Sequence, residues 1–264
     1  MEHEPELEHL MSTTSAPERI ELCGHCHRQP RVLVTWQSHT IDTGLCEKCG
    51  ADESSRMDAA HRDRRDAYLR RFLLDIGPRY ERYTFETFPA SDPTRAEALT
   101  RVRDAALNDV FVEHRNLVVF GDVGAGKTGL AIAAARSLIE EGMAARFFVV
   151  RDWLDLIRAS FDEPNNAEQI AKTAGLLVLD DLGAERTTEF ALEKLLGLID
   201  HRYKHLRPTI VTSNFEPGEL VEHLDERDPR VGRRIVSRMM DDAIPIRLEA
   251  SDLRVSAERS VRAA

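Results

Sequence analysis

The chain has 264 residues, 36 Lys and Arg against 46 Asp and Glu, a formal charge of -10 and a hydrophobic share of 42%. That share suits a globular core, and the acidic balance argues against a general nucleic-acid coat while leaving room for a local basic face. No stretch approaches the roughly 20 apolar residues of a membrane span, and the acidic opening MEHEPELEHLMSTTSAPER lacks the apolar run of a signal peptide, so a cytoplasmic protein with reduced thiols is expected.

Residues 1–20 read as a disordered leader. A small module is expected over 21–52, where all four cysteines fall: CGHC from Cys23 to Cys26 and CEKC from Cys46 to Cys49. In a reducing compartment, paired cysteines favour metal over disulfides. Two Cys-x-x-Cys knuckles offer four thiolates to one tetrahedral zinc ion. Between them RVLVTW alternates like a strand, and Gly24, Gly44 and Gly50 supply turns, so the pattern reads as a zinc ribbon of two short hairpins. The segment is too small for a core of its own, and the metal replaces one. His25 and His27 flank Cys26 but are expected to be exposed, because the cysteines already fill four positions. A redox pair would need one such motif at a strand–helix junction, and here there are two.

A linker helix is expected over 53–76, rich in Arg and Asp and solvated by i,i+4 pairs. Arg62, Arg64, Arg65, Arg70 and Arg71 leave open a partner-binding or nucleic-acid-binding arm. Gly77-Pro78 breaks this helix, and the aromatics of GPRYERYTFETF read as an extended segment leading into a domain over 77–264. There NLVVF is a buried parallel strand, GDVGAGKT a glycine loop and GLAIAAARSLIEEG a helix ending near Gly142. Strand, loop and helix in that order define a P-loop for ATP. Gly121, Asp122, Val123, Gly124, Ala125, Gly126 and Gly129 are expected to wrap the phosphates. Lys127 reaches the β- and γ-phosphates, and Thr128 offers its hydroxyl to Mg2+.

Further on, RDWLDLIRASF places Trp153, Ile157 and Phe161 at helical spacing, which reads as a core-facing stripe with Arg151 and Arg158 outside it as candidate phosphate contacts. GLLVLDDLG is a second buried strand ending in two carboxylates. Asp180 is expected to hold the Mg2+ shell and Asp181 to polarise the attacking water. PTIVTSN is a strand whose end carries Asn214, where ligands sit in open α/β sheets.

Taken together, GDVGAGKT, LLVLDDLG, RPTIVTSN and RRIVSRM resemble the AAA+ ATPases, in particular the clade of DnaC/DnaI-type helicase loaders and IstB transposition helpers. The resemblance runs from Gly77 to about Arg254, and a zinc module ahead of it is more similar to the loaders. It implies an α/β parallel-sheet P-loop core, with Asn214 as sensor 1 and Arg238 as an arginine finger given to a neighbouring subunit. Arg234, one turn earlier, is its alternate; Arg233 shares that helix. A finger acting in trans implies self-assembly with ATP at the interfaces. The pair Asp180-Asp181 replaces the Asp-Glu of many AAA+ proteins. The chain after AIPIRLEA is too short for a full helical lid. Both departures imply a slow ATPase switch. The expected function is ATP-dependent loading of a replicative DNA helicase onto single-stranded DNA. The alternatives are a transposition helper and a zinc-ribbon adaptor whose nucleotide is structural.

Overall fold

Alternate residues of strand β3 (Leu117–Gly121) supply two separate cores: Leu117 and Val119 pack into one, Val118 and Phe120 into the other. This period of two is the signature of a strand covered on both faces, and it explains why the run is apolar throughout. The same alternation splits Leu176 and Val178 from Leu177 and Leu179 in β5 (Leu176–Leu182). The computed structural model describes residues 22–31, 33–36, 39–90, 92–160, 166–225 and 230–253. The expected leader over 1–20 and Phe161 lie outside these residues.

The chain divides into two units, Met1–His61 and Arg62–Ala264. In the first, β1 (Leu33–Trp36) pairs antiparallel with β2 (His39–Asp42), Leu33 opposite Asp42, as the alternation predicts. A single bridge, Leu22 to Pro30, closes the first cysteine knuckle. The second knuckle differs from expectation. Helix α1 (Glu47–Ile76) starts there, so Cys49 and Gly50 are helical and not part of a hairpin. Its sequence is built mostly from good helix formers, with no proline to delay its start. It stops where expected, at Gly77 (φ 73°), whose N–H caps the Leu73 carbonyl at 3.0 Å.

The second unit is the expected α/β core. Its five parallel strands run in the order β4-β5-β6-β3-β7, with β4 (Ala145–Val149), β6 (Thr209–Ser213) and β7 (Ile244–Leu248) completing the sheet. One face carries the end of α1, then α2 (Pro93–Ala105), its π-helical extension Ala106–Val110 and α3 (Lys127–Glu140). Phe72 of α1 meets Phe147 edge to face at 6.4 Å. Asp75 receives two hydrogen bonds from the Arg146 guanidinium, at 2.5 and 3.2 Å. The other face carries α4 (Val150–Ala159), α5 (Ala167–Thr173), α6 (Glu189–Lys204), α7 (Pro217–Asp225) and α8 (Val231–Met240). Trp153 and Ile157 are buried in that second core, as their spacing predicts.

The aromatic segment after Gly77 is not extended. Tyr80 N–H to Gly77, Tyr83 N–H to Tyr80 and Phe88 N–H to Thr84 fold it into successive turns that bury Phe85 and Phe88. Among the described residues no helix is long and apolar enough to cross a membrane.

Candidate functional site

Because the strands are parallel, β3, β5 and β6 end at the same edge of the sheet, and that edge gathers the polar residues of three motifs. The glycine loop leaves β3 in conformations that side chains resist. Gly121 sits at φ 132°, and a Cβ there would collide with the Leu248 carbonyl. Gly124, at φ 76°, has Asp252 packed against it. Helix α3 then starts at Lys127, with its N-terminus at the loop, the local arrangement that favours anions.

Lys127 is 7% exposed, and its Nζ donates to the Gly121 and Asp122 carbonyls at 2.8 and 2.7 Å and to Asn214 Oδ1 at 2.7 Å. Asn214 Nδ2 in turn donates to Asp181 Oδ1 at 3.0 Å. Thr128 Oγ1 donates to Asp180 Oδ2 at 3.1 Å. The sequence motifs thus converge: Lys127, Asn214 and Asp181 form one hydrogen-bonded set and Thr128 and Asp180 another, joined through Thr212. Strand β5 shifts register between Leu179 and Leu182, and Asp181 takes φ 62° there. Such an irregularity re-aims a side chain at the strand end. Burial pushes the Asp180 carboxyl above the usual carboxylate range, against the lowering effect of the Thr212 and Thr128 hydroxyls. A hard cation held between Thr128 and Asp180 would reverse that balance.

These groups line a cleft of 740 Å3, with Arg79, Tyr80, Arg82, Tyr83 and Leu253 on its remaining walls. The size suits a nucleotide. Val123, Gly124, Gly126 and Gly129 line it as expected, whereas Gly121, Asp122 and Ala125 do not. The first two turn their carbonyls to Lys127, and Ala125 is fully buried. Arg238 is not among the lining residues either. It pairs with Asp200 of α6, whose other oxygen takes Arg234 at 2.9 Å, and its guanidinium lies 5.8 Å from the Tyr203 ring centre.

Sequence reasoning missed Thr212. Its hydroxyl donates to Asp180 Oδ1 at 2.6 Å and accepts the Asp181 N–H at 2.9 Å. Its place near the end of β6, two residues before Asn214, was the available signal. Tyr80 and Tyr83 were missed as cleft residues because the turns that present them were not foreseen.

A second cleft, of 560 Å3, opens beside the ends of β4 and β5, lined by Arg151, Arg158 and Arg186 together with Leu154, Asp155 and Glu185. Glu185 is 6% exposed; its Oε2 accepts the Gly183 N–H at 2.8 Å, while Oε1 has no hydrogen-bond partner. Burial raises its carboxyl pKa.

In the first unit the sulfurs of Cys23, Cys26, Cys46 and Cys49 all lie within 4.8 Å of one another. Cys26 and Cys46 Sγ are 3.8 Å apart, too far for a disulfide, and His25 and His27 are exposed as expected. Hydrogen bonding led by the Cys26 backbone lowers Cys23 to about 6, whereas the neighbouring Cys46 thiol pushes Cys49 up to about 12. Four such thiols do not ionise together unless a cation joins them. The cluster is positioned to bind a metal ion.

A family model described as IstB-like ATP binding protein matches residues 56–260. The replicative helicase loader DnaI of Bacillus subtilis is 29% identical over 236 residues, covering 85% of this chain and 72% of that protein. An insertion-sequence ATP-binding protein of Geobacillus stearothermophilus is 25% identical, covering 71% of this chain and 74% of the other. Among solved structures, the DnaC helicase loader superposes with a TM-score of 0.57 at 26% identity, over 65% of this chain and 99% of that one.

Proposed function

The chain belongs to the IstB-like ATP-binding protein family, and from that premise we propose that it is an ATPase that loads a replicative helicase onto DNA. The observation that carries the loader reading is the extent of the similarity to DnaI. A match over 85% of the chain reaches into the cysteine-bearing segment that precedes the family core. In this reading the segment over 21–52 and the linker over 53–76 hold the helicase, and the domain over 77–264 is the ATP-dependent switch.

ATP occupies the cleft above Lys127, its phosphates on the glycine loop and its Mg2+ held by Thr128 and Asp180. Mg2+ supplies charge neutralisation on the β- and γ-phosphates. Asp181 accepts a proton from the attacking water, and Asn214 fixes Asp181 from one side while contacting Lys127 from the other. Arg238 serves the cleft of a neighbouring subunit, the role its place in the VSRM motif implies. Single-stranded DNA lies along Arg151, Arg158 and Arg186, where phosphate charge meets exposed guanidinium groups. Zinc is the metal of the cysteine cluster. A Zn–S bond of about 2.3 Å sets sulfurs about 3.8 Å apart in a tetrahedron, the separation of Cys26 and Cys46.

The family also favours a second reading, a transposition helper, because insertion-sequence ATPases match most of the same core. Pull-down with the purified full chain and ATP, followed by a strand-loading assay, separates the two. A loader retains the replicative helicase and transfers it to closed single-stranded circles. Retention of a transposase with no helicase would reverse the assignment.

A further inference from the structure

Arg95 carries a permanent charge into the interior of the ATPase unit, where it is 3% exposed. Its Nε donates to the Ala125 carbonyl at 3.0 Å, one Nη meets the Asp92 carboxylate, and the other donates to the Ser251 carbonyl. Three segments distant in sequence therefore meet at one guanidinium: the N-cap of α2, the middle of the glycine loop and the chain beyond β7. The last of these has its own bonds to the loop. Leu253 N–H donates to the Gly124 carbonyl at 3.0 Å, and the Leu253 side chain lines the nucleotide cleft. It lies 3.3 Å from the position a Cβ would take on Gly126, and Asp252 packs against Gly124.

We infer that Ser251–Leu253 is a strap forming one wall of the nucleotide cleft, and that Arg95 is a positioning residue holding strap and glycine loop together. This rests on ATP occupying the cleft above Lys127. The physical link is the peptide plane. A trans peptide points its C=O and the following N–H in opposite directions. Fixing the Ala125 carbonyl on Arg95 therefore aims the Gly126 N–H away from Arg95. A phosphate loop works only while its N–H groups stay aimed at the anion. Without Arg95, the buried Ala125 carbonyl would lose its partner, and rotating that peptide would turn the Gly126 N–H off target. Arginine is required because its planar fork reaches three acceptors at once, whereas a lysine ammonium on its flexible stem cannot hold the same geometry. Asp92 supplies the counter-charge and also caps α2 by accepting the Arg95 N–H at 3.0 Å. The strap thus gives the cleft a wall in cis.

The test uses the full chain with Arg95→Lys and, separately, Leu253→Ala, titrated with a fluorescent ATP analogue and compared by thermal unfolding without nucleotide. Arg95→Lys should weaken binding by about tenfold, the worth of a hydrogen bond to a charged group. Leu253→Ala should weaken it several-fold. A merely structural role would lower the unfolding temperature and leave the dissociation constants of the folded proteins at the wild-type value, which would overturn the inference. If Arg95→Lys does not fold, an unchanged dissociation constant in Leu253→Ala overturns it alone. Failure of the wild-type protein to bind ATP would overturn the ATP reading and this one with it.

Discussion

Thr212 Oγ1 donates a 2.6 Å hydrogen bond to Asp180 Oδ1, so a hydroxyl on β6 orients a carboxylate on β5. The same oxygen accepts the Asp181 N–H at 2.9 Å. One small side chain therefore governs both acidic residues of the site. Thr212→Val keeps the shape and removes both bonds, and ATP hydrolysis should fall by about tenfold. Thr212→Ser restores the hydroxyl and should recover most of the rate. A Val variant as fast as wild type in a steady-state ATPase assay would contradict this role.

Burial raises the Asp180 carboxyl pKa, which makes its charge a liability in the nucleotide-free protein. The folded state then holds this proton to higher pH than the unfolded chain does. The contribution to stability is therefore present below the unfolded value of 3.8 and is lost as pH rises through the raised folded value. Asp180→Asn should unfold at a higher temperature than wild type at pH 7, by roughly 2–4 °C, with the gap closing at acid pH. The same variant should lose the added protection that Mg2+ and ATP give wild type. Equal melting temperatures at pH 7 would show that the carboxylate costs nothing.

The cysteine cluster should hold about one zinc ion per purified chain. Cys49→Ser removes a ligand from the first turn of α1 and should release the metal at chelator concentrations that leave wild type loaded. Metal analysis decides the matter. A Cys23–Cys26 disulfide in reduced protein, or a folded first unit without metal, would refute the assignment.

Arg238→Ala leaves the Arg234–Asp200 pair in place, so its effect on folding should be small, below about 1 kcal/mol. It should nonetheless lose ATP-driven assembly and most hydrolysis while binding ATP nearly normally. Mixing it with Lys127→Ala should restore part of the activity, because one interface would join an intact glycine loop to an intact finger. Wild-type hydrolysis by Arg238→Ala would move the finger elsewhere, with Arg234 the next residue to test.

The parallel core was readable because its signals are local. An apolar run such as NLVVF and the glycine spacing of GDVGAGKT depend on neighbours in sequence. Asn214 was readable for the same reason, standing at the end of an apolar strand. Arg95 was not. Its partners Ala125 and Ser251 lie 30 and 156 residues away, and nothing in PTRAEAL marks a buried guanidinium. The second cysteine knuckle was read as a turn because of Gly50. The helix that starts there is long enough to absorb the cost of one glycine, about 1 kcal/mol. Likewise the aromatics after Gly77 suggested an extended chain, but burial of Phe85 and Phe88 is better served by turns.

Lys127 already touches three protein oxygens, those of Gly121, Asp122 and Asn214. An incoming phosphate does not meet a bare ammonium; it must displace contacts that are already satisfied. A single phosphate or sulfate offers one anion in exchange and gains little. A polyphosphate bound as proposed would also engage the loop amides and the cation held by Thr128 and Asp180, and so tip the exchange. With ATP bound as proposed, the cleft should act as a valency filter, counting linked phosphates where a simple cationic pocket would register charge alone. Inorganic phosphate should accordingly fail to protect the protein from unfolding at concentrations where ADP does so.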